Sequence, residues 1–307
     1  MSEAVISVKG LRKSYDGIEA VGGIDLEVGR GEVFAFLGPN GAGKTTTVEV
    51  LEGYRGRDAG EVSVLGADPT EATRAWRAQI GIVLQSCVQQ RELTVRETLE
   101  MYAGYYPAPR DVSETIELAG LSEKADERAG RLSGGQQRRL DVALALIGDP
   151  DLLFLDEPTT GFDPSARRQA WATIAGLRQL GKTIFLTTHY MEEAQELADR
   201  VAIISSGEIV AEGTPAAIGG RALAATEIRF QLPEGAVAEL PLAIAGDAKV
   251  ESGTVSVRTE RPVEALNALT GWALERGHDL SELEVRRPSL EDVYLELTRD
   301  STGGEEE

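Results

Sequence analysis

Three short stretches carry residue types and spacings suited to binding and cleaving a phosphate chain. The first, GPNGAGKT at residues 38–45, has the spacing G-x-x-x-x-G-K-T/S and follows the apolar stretch EVFAFL, as a phosphate-binding loop requires. Its glycines let backbone N–H groups form a concave anion site, and a following helix adds its positive N-terminal end. Lys44 would reach the β- and γ-phosphates and the Thr45 hydroxyl would hold Mg²⁺. The candidate phosphate-binding residues are Gly38, Pro39, Asn40, Gly41, Ala42, Gly43, Lys44, Thr45 and Thr46.

The second stretch is LLFLDEP at residues 152–158. Its four apolar residues predict a buried strand, and Asp156 at the end of that strand suits a hard cation such as Mg²⁺. Glu157 is placed to activate a water that attacks the γ-phosphate. An acidic strand end before a proline turn is the alternative interpretation.

The third stretch is RLSGGQQRRL, in which Ser133 and Gln136 have the spacing of a capping box. Gly134 and Gly135 then lie in the first turn of a helix, where each costs about 1 kcal/mol, but they let bare N–H groups approach an anion. If two copies meet, each SGGQ would contact the γ-phosphate held by the other copy. A capped helix with a loose first turn is the alternative. The apolar face of this helix is formed by Leu140, Ala143, Leu144 and Ile147.

Strands alternate with helical stretches over most of the chain, which predicts an α/β fold with a largely parallel sheet. The early strands VISV, IDLEV and EVFAFL are separated by glycine-rich turns predicted at residues 21–23 and 29–31. Residues 91–130 are predicted to be mainly helical, with Thr94 and Glu97 as a capping box. The later predicted strands are EVSVLG, IGIVLQ, LLFLDEP, TIFLTTH and RVAIIS.

A composition shift at residues 213–225 predicts a linker to a small α+β domain at 221–300, followed by a flexible acidic tail at 301–307. The first domain would then span residues 1–220, with a helical subdomain at about 86–150. In the second domain, EIRFQL, TVSVR and LEVRR are predicted strands and PVEALNALTGWALERG is a predicted helix. PSLEDVYLELT predicts a closing helix capped by Ser289, with one face formed by Leu290, Val293, Tyr294 and Leu297.

Composition restricts the class of protein. The chain has 51 acidic and 31 basic residues, a net charge of −20, whereas nucleic-acid binding normally leaves a basic footprint. The single cysteine, Cys87, excludes an internal disulfide. Neither a leader nor an apolar run of membrane-spanning length is found, so the sequence predicts a chain that does not itself cross a membrane.

GPNGAGKTT, LSGGQ and LLFLDEP, in this order, resemble the nucleotide-binding subunit of an ABC transporter over about residues 5–220. The resemblance implies ATP and Mg²⁺ as ligands, ATP hydrolysis, and a RecA-like parallel sheet with an antiparallel β-subdomain and a helical subdomain. It also implies that Tyr15 stacks on adenine, that Gln85 touches Mg²⁺ and senses a transmembrane partner, and that Asp163 crosses to the second subunit. His189 would contact the γ-phosphate. Many relatives have leucine where this chain has Phe162.

The C-terminal part resembles the accessory domain of daunorubicin-type drug-resistance and ABC-2-type exporter subunits. This implies export of drugs, lipids, polysaccharide or other hydrophobic compounds. The implied partners are an integral membrane permease and a second copy of the chain or a related ATPase, with no nucleic acid. The subunit would be held peripherally at the cytoplasmic face of the cell membrane. One alternative is a soluble ABC ATPase acting on ribosomes or DNA without a permease. A P-loop kinase or GTPase is disfavoured by SGGQ.

Overall fold

The computed structural model describes residues 4–84, 91–218, 225–232, 240–241, 244, 248–251, 253–286 and 289–299. The chain divides into two units. One contains the chain up to Pro215 together with Thr298 and Arg299, and the other is Ala216–Leu297. Among the described residues, every helix is too short or too polar to cross a membrane.

The first unit begins with a three-stranded antiparallel sheet, in the order β2-β1-β4. Its strands are β1 (Ala4–Tyr15), β2 (Ile18–Gly29) and β4 (Ala59–Val64). The turn predicted at residues 21–23 is wrong, because these residues lie within β2. Gly23 has a φ of +99° and the pairing of β1 with β2 shifts between Leu11 and Arg12. The glycines therefore accommodate a bulge within a long strand rather than a reversal of the chain.

The central sheet has six strands in the order β5-β6-β7-β3-β8-β9. The first five are parallel, and only β9 is antiparallel to its neighbour. Their continuous apolar sequences suit strands covered on both faces. The fold class is confirmed: an α/β core with a mostly parallel sheet and an antiparallel β-subdomain. The strands are β3 (Val33–Leu37), β5 (Ile80–Val83), β6 (Leu152–Asp156), β7 (Thr183–Thr188), β8 (Arg200–Ser205) and β9 (Glu208–Gly213).

Helices α3, α4 and α5 share a separate apolar core that includes Leu99, Ile116 and Leu140. Both predicted capping boxes of this region, at Thr94 and at Ser133, are confirmed. The helices of the first unit are α1 (Lys44–Leu51), α2 (Arg74–Arg77), α3 (Val95–Ala103), α4 (Val112–Leu118), α5 (Gly134–Leu146), α6 (Pro164–Gln179) and α7 (Met191–Leu197). One-turn 3₁₀ helices lie at Pro69–Glu71, Ser122–Lys124 and Ala129–Arg131.

The second unit contains an antiparallel sheet in the order β11-β12-β10-β13, with Phe230 and Leu269 in its core. Ser289 caps the last helix, because its Oγ accepts the N–H of Asp292 at 3.0 Å. The short strands β9 and β11 were not predicted from the sequence. The elements are β10 (Thr226–Gln231), β11 (Ala248–Glu251), β12 (Thr254–Thr259), α8 (Pro262–Arg276), β13 (Ser281–Arg286) and α9 (Leu290–Arg299).

Phe185 lies at the centre of the sheet core, with ring centroids 5.6–5.7 Å from those of Phe34, Phe36 and Phe154. We expect Phe185→Ala to lower the free energy of unfolding by about 3–5 kcal/mol, because it removes buried contacts and leaves a cavity. Urea denaturation measures this loss. Ile18→Ala is the control: this side chain is 74% exposed, so its loss should cost less than about 1 kcal/mol. Equal losses in the two variants would contradict the assignment of Phe185 to the core.

Candidate active site

The parallel register of three adjacent strands brings the predicted phosphate-binding and catalytic residues to one edge of the sheet. Leu37, the last residue of β3, pairs with Thr188 of β7, and Asp156 of β6 pairs with Thr187. The segments that follow these strands begin with Gly38, Glu157 and His189. Since parallel strands end at the same edge, these segments leave the sheet side by side.

Two glycines of the loop after β3, Gly38 and Gly43, fill places that a side chain could not occupy. A Cβ on Gly43, which has a φ of +103°, would lie 2.4 Å from the carbonyl oxygen of Ala20, and one on Gly38 would lie 2.4 Å from that of Ile204. Gly43 is the N-cap of α1. The loop can therefore pack closely against β2 and β8 and turn directly into a helix N-terminus.

Lys44 is buried, and its Nζ donates to the carbonyl oxygens of Gly38 at 2.6 Å and Pro39 at 2.9 Å. Burial lowers the pKa of Lys44, while the nearby carboxylates of Glu157 and Asp156 act in the opposite direction. The ammonium group is thus held by loop carbonyls and attracted by carboxylates within a poorly solvated site.

A pocket of about 610 Å³ contains the helix start and the strand ends together. Lys44 of the loop faces Asp156, Glu157 and His189 across this space. Of the predicted loop residues, Gly38, Pro39 and Ala42 do not line the pocket within the described part of the chain. The lining residues are Ala20, Asn40, Gly41, Gly43, Lys44, Thr45, Thr46, Asp156, Glu157 and His189.

Two threonines that sequence reasoning missed hold the carboxylates. Thr187 Oγ1 donates to Asp156 Oδ1 at 2.5 Å and accepts the N–H of Glu157 at 3.2 Å. Thr160 Oγ1 donates to Glu157 Oε2 at 3.0 Å, and His189 Nδ1 lies 3.2 Å from Glu157 Oε1. The role of Thr187 depends on the order of β6 and β7, which the sequence does not specify, whereas Thr160 is only three residues from Glu157.

The residues present fit a magnesium ion. Thr45 and Asp156 line the same pocket, and hydroxyl and carboxylate oxygens are ligands that Mg²⁺ prefers. These two side chains would hold the ion, which would supply positive charge beside the phosphates. Gln85, the third predicted ligand, lies outside the described residues.

Among the described residues, none of the SGGQ segment lines the pocket beside residues 38–46. Ser133, Gly134, Gly135 and Gln136 instead line a separate groove of about 720 Å³, together with Asp163 and Phe162. Asp163 caps α6 by accepting the N–H groups of Ser165 at 2.8 Å and Ala166 at 2.9 Å. Glu157 lines both the groove and the pocket. Among the described lining residues of the groove, none comes from residues 38–46.

Tyr15 ends β1 and is half-buried. The Arg55 guanidinium lies 5.1 Å from the centroid of its ring and the Lys13 ammonium 5.6 Å. Tyr15 is not one of the described residues that line the pocket containing Lys44. The structure therefore places its ring in a cationic setting near the end of α1 rather than within the pocket wall.

Glu52, at the end of α1, is a further buried carboxyl that the sequence motifs did not indicate. It is 7% exposed. Burial raises its pKa from 4.5 to about 8, and the negative charges of Asp156 and Glu49 add to the effect. Glu52 is therefore mainly protonated at neutral pH.

Comparison with known proteins gives matches over both parts of the chain. Residues 21–160 match the family model described as ABC transporter, and residues 226–289 match the C-terminal domain model of ABC transporter domain-containing protein-like chains. The chain is 38% identical to the daunorubicin resistance ATP-binding protein DrrA3 of Streptomyces coeruleorubidus, over 98% of both chains. It is 41% identical to the Nod factor export ATP-binding protein I of Rhizobium sp. (strain N33), over 97% of this chain and 98% of that relative.

The fold is also similar to solved structures. One is the dimeric post-hydrolysis state of an ATP-binding cassette bound to ADP and Pi. The similarity has a TM-score of 0.61 at 25% sequence identity and covers 68% of this chain and 98% of that one.

The raised pKa of Glu52 predicts a pH-dependent stability. Between about pH 4.5 and pH 8 the unfolded chain releases the Glu52 proton and the folded chain keeps it, so wild-type stability falls by up to about 1.4 kcal/mol per pH unit through this group. We expect nucleotide-free Glu52→Gln to be more stable than wild type at pH 8, with a difference that shrinks towards pH 5. Urea denaturation at several pH values measures it. Glu61→Gln, at an exposed position, should show no such trend. A constant difference for Glu52→Gln would contradict the prediction.

Proposed function

Because this chain belongs to the ABC transporter family of ATP-binding subunits and is an ATPase, we propose that it is the motor of an exporter that moves drugs, lipids or other hydrophobic compounds. Its mechanism as a pair of cassettes is supported most by one observation: the SGGQ helix end and the loop at residues 38–46 line different cavities of the same chain. We infer that a single copy would carry two halves of a nucleotide site in separate cavities, and that a second copy would be needed to complete each site.

ATP would bind with its phosphates in the pocket formed by residues 38–46. Backbone N–H groups at the start of α1 and the Lys44 ammonium would neutralise the phosphate charge. The ammonium now bonded to Gly38 and Pro39 carbonyls would exchange those bonds for phosphate oxygens. Tyr15 would stack on the adenine, and Gln85 would complete the Mg²⁺ ligands begun by Thr45 and Asp156.

Glu157 is the proposed general base. Its carboxylate lines the pocket and is fixed by two contacts, from Thr160 to Oε2 and from His189 to Oε1. Held in this way, it would orient the attacking water and accept its proton as the water approaches the γ-phosphate. His189 would contact both the γ-phosphate and Glu157. The position of Glu157 would then depend on whether a γ-phosphate is bound.

Two cassettes would close around two ATP molecules. Ser133, Gly134, Gly135 and Gln136 of one cassette would contact the γ-phosphate held by the other, and Asp163 would cross to the second subunit. The second cassette is another copy of this chain or a related ATPase. ATP would favour the closed pair because it binds that state more tightly than the open one, and loss of phosphate would reverse this preference.

Export is supported by the names of the relatives, one for drug resistance and one for Nod factor export. The pair would act on an integral membrane permease, be held by it at the cytoplasmic face of the membrane, and act without nucleic acid. We also propose the domain division at residues 1–220, with its helical subdomain at about 86–150, and 221–300 as an accessory domain before the acidic tail 301–307.

The closed pair is tested with Glu157→Gln. Loss of the base should slow ATP turnover by at least about 100-fold and, with ATP and Mg²⁺, leave a dimer detectable by size-exclusion chromatography with light scattering. Adding Ser133→Arg to this variant should abolish the dimer. Glu192→Gln is the control, because its side chain is 81% exposed and should turn over like wild type. A Glu157→Gln protein with wild-type turnover would exclude Glu157 as the base.

The permease partner is tested by purification of the tagged chain from native membranes in mild detergent. We expect an integral membrane protein to co-purify in a fixed ratio, and ATP turnover of the complex to respond to the transported compound. The same tag on the Lys44→Ala variant should still recover the permease, since that change affects ATP binding only. A chain recovered with ribosomes or DNA, and with no membrane protein, would overturn the exporter assignment.

A further inference from the structure

Arg138 is a buried cation in the helix that begins with SGGQ. It lies on α5 and is 8% exposed. All three guanidinium nitrogens donate to backbone carbonyl oxygens: Nε to Pro158 at 3.2 Å, Nη2 to Asp156 at 2.6 Å and to Glu157 at 3.3 Å, and Nη1 to Leu84. Its carboxylate neighbour Asp141, also buried, is 4.0 Å away.

Asp156 ends β6 and is followed by Glu157 and Pro158, and Leu84 directly follows β5, so these carbonyls lie where two adjacent parallel strands end. β5 and β6 pair with Val83 opposite Leu155, so Leu84 and Asp156 leave the sheet next to each other. The planar fork of the guanidinium has five donors in a fixed arrangement and can bridge both strand ends at once. Arg138 thereby joins the SGGQ helix to the strand that carries Asp156 and to the residue just before Gln85.

The bonds from Arg138 lie on both sides of Glu157, whose backbone has a positive φ. Glu157 has a φ of +45°, a left-handed conformation that costs a non-glycine residue about 1 kcal/mol or more. Arg138 binds the carbonyl on each side of the Glu157 α-carbon, and the N–H of Glu157 donates to the carbonyl of Thr187 at 3.1 Å. Such a conformation persists where surrounding bonds over-determine it, and these bonds fix the direction of the Glu157 side chain.

We propose that Arg138 is a positioning residue for ATP hydrolysis: it holds Glu157 in its left-handed conformation and joins the SGGQ helix to that carboxylate. Arg138 acts through Glu157 and does not contact the substrate. The inference rests on the proposed role of Glu157 as the base. Because a displacement of a catalytic group by about 1 Å costs up to about 100-fold in rate, loss of these bonds should affect the chemical step much more than ATP binding.

The test compares Arg138→Gln and Arg138→Lys by steady-state ATP hydrolysis. Arg138→Gln should lower kcat by about 10- to 100-fold and change KM for ATP by less than about 2-fold, since Lys44 and its loop are untouched. Arg138→Lys, which keeps the charge but has a single donor atom, should fall between Arg138→Gln and wild type. If Arg138→Gln does not fold, the kcat and KM of Arg138→Lys decide: a wild-type kcat overturns the inference.

The control is Arg57→Gln. Arg57 is half-buried, whereas Arg138 is buried. Like Arg138 it donates to a backbone carbonyl, that of Gly60 at 2.9 Å, but it lies beside the antiparallel sheet and should keep the wild-type kcat. An equal fall of kcat in Arg57→Gln would mean that lost stability is responsible, and would overturn the inference.

A double variant separates this inference from the proposal on which it rests. In single-turnover measurements on the Glu157→Gln background, adding Arg138→Gln should slow the residual rate by less than about 2-fold, because the group that Arg138 positions is already gone. A further 10-fold fall in the single-turnover rate would show that Arg138 does not act through Glu157, and would overturn the inference. Wild-type turnover of Glu157→Gln alone would instead reject Glu157 as the base.

Discussion

The site depends on the parallel alignment of β3, β7 and β6. Because these strands are neighbours in register, the phosphate-binding loop, His189 and Glu157 leave the same edge of the sheet. A different strand order would distribute the same motifs around the molecule. The phenylalanines packed at the centre of this sheet support the site indirectly, because they hold the three strands together.

Around this edge, polar contacts fix what the sheet has brought together. Glu157 is contacted at its carboxylate by Thr160 and by His189, which follows β7, and at its backbone carbonyl by Arg138 of α5. The backbone groups around its left-handed α-carbon are bonded by Arg138 and Thr187, which lie on other elements. On the proposal that Glu157 is the base, a carboxylate fixed in this way would need little reorganisation during the reaction.

The sequence was sufficient for the features that are local. The loop at residues 38–45, the strand before Asp156 and the capping boxes at Thr94 and Ser133 each require only a few neighbouring residues. The features that the sequence did not predict depend on contacts between residues far apart in the chain. Thr187 acquires its contact with Asp156 only once β6 and β7 are adjacent, and the raised pKa of Glu52 requires burial beside Asp156. The glycines of β2 were misinterpreted because a bulge and a turn have the same local composition.

The close approach of Gly43 to Ala20 and of Gly38 to Ile204 restricts which residues these two positions can accept during evolution. Even a methyl group at either position would meet a carbonyl oxygen at 2.4 Å, whereas Gly41 between them has open space around its α-carbon. The loop therefore combines two positions closed to every side chain with one where only backbone conformation restricts the choice. In a survey of all substitutions, Gly38 and Gly43 should tolerate no other residue, whereas Gly41 should tolerate those that adopt a positive φ.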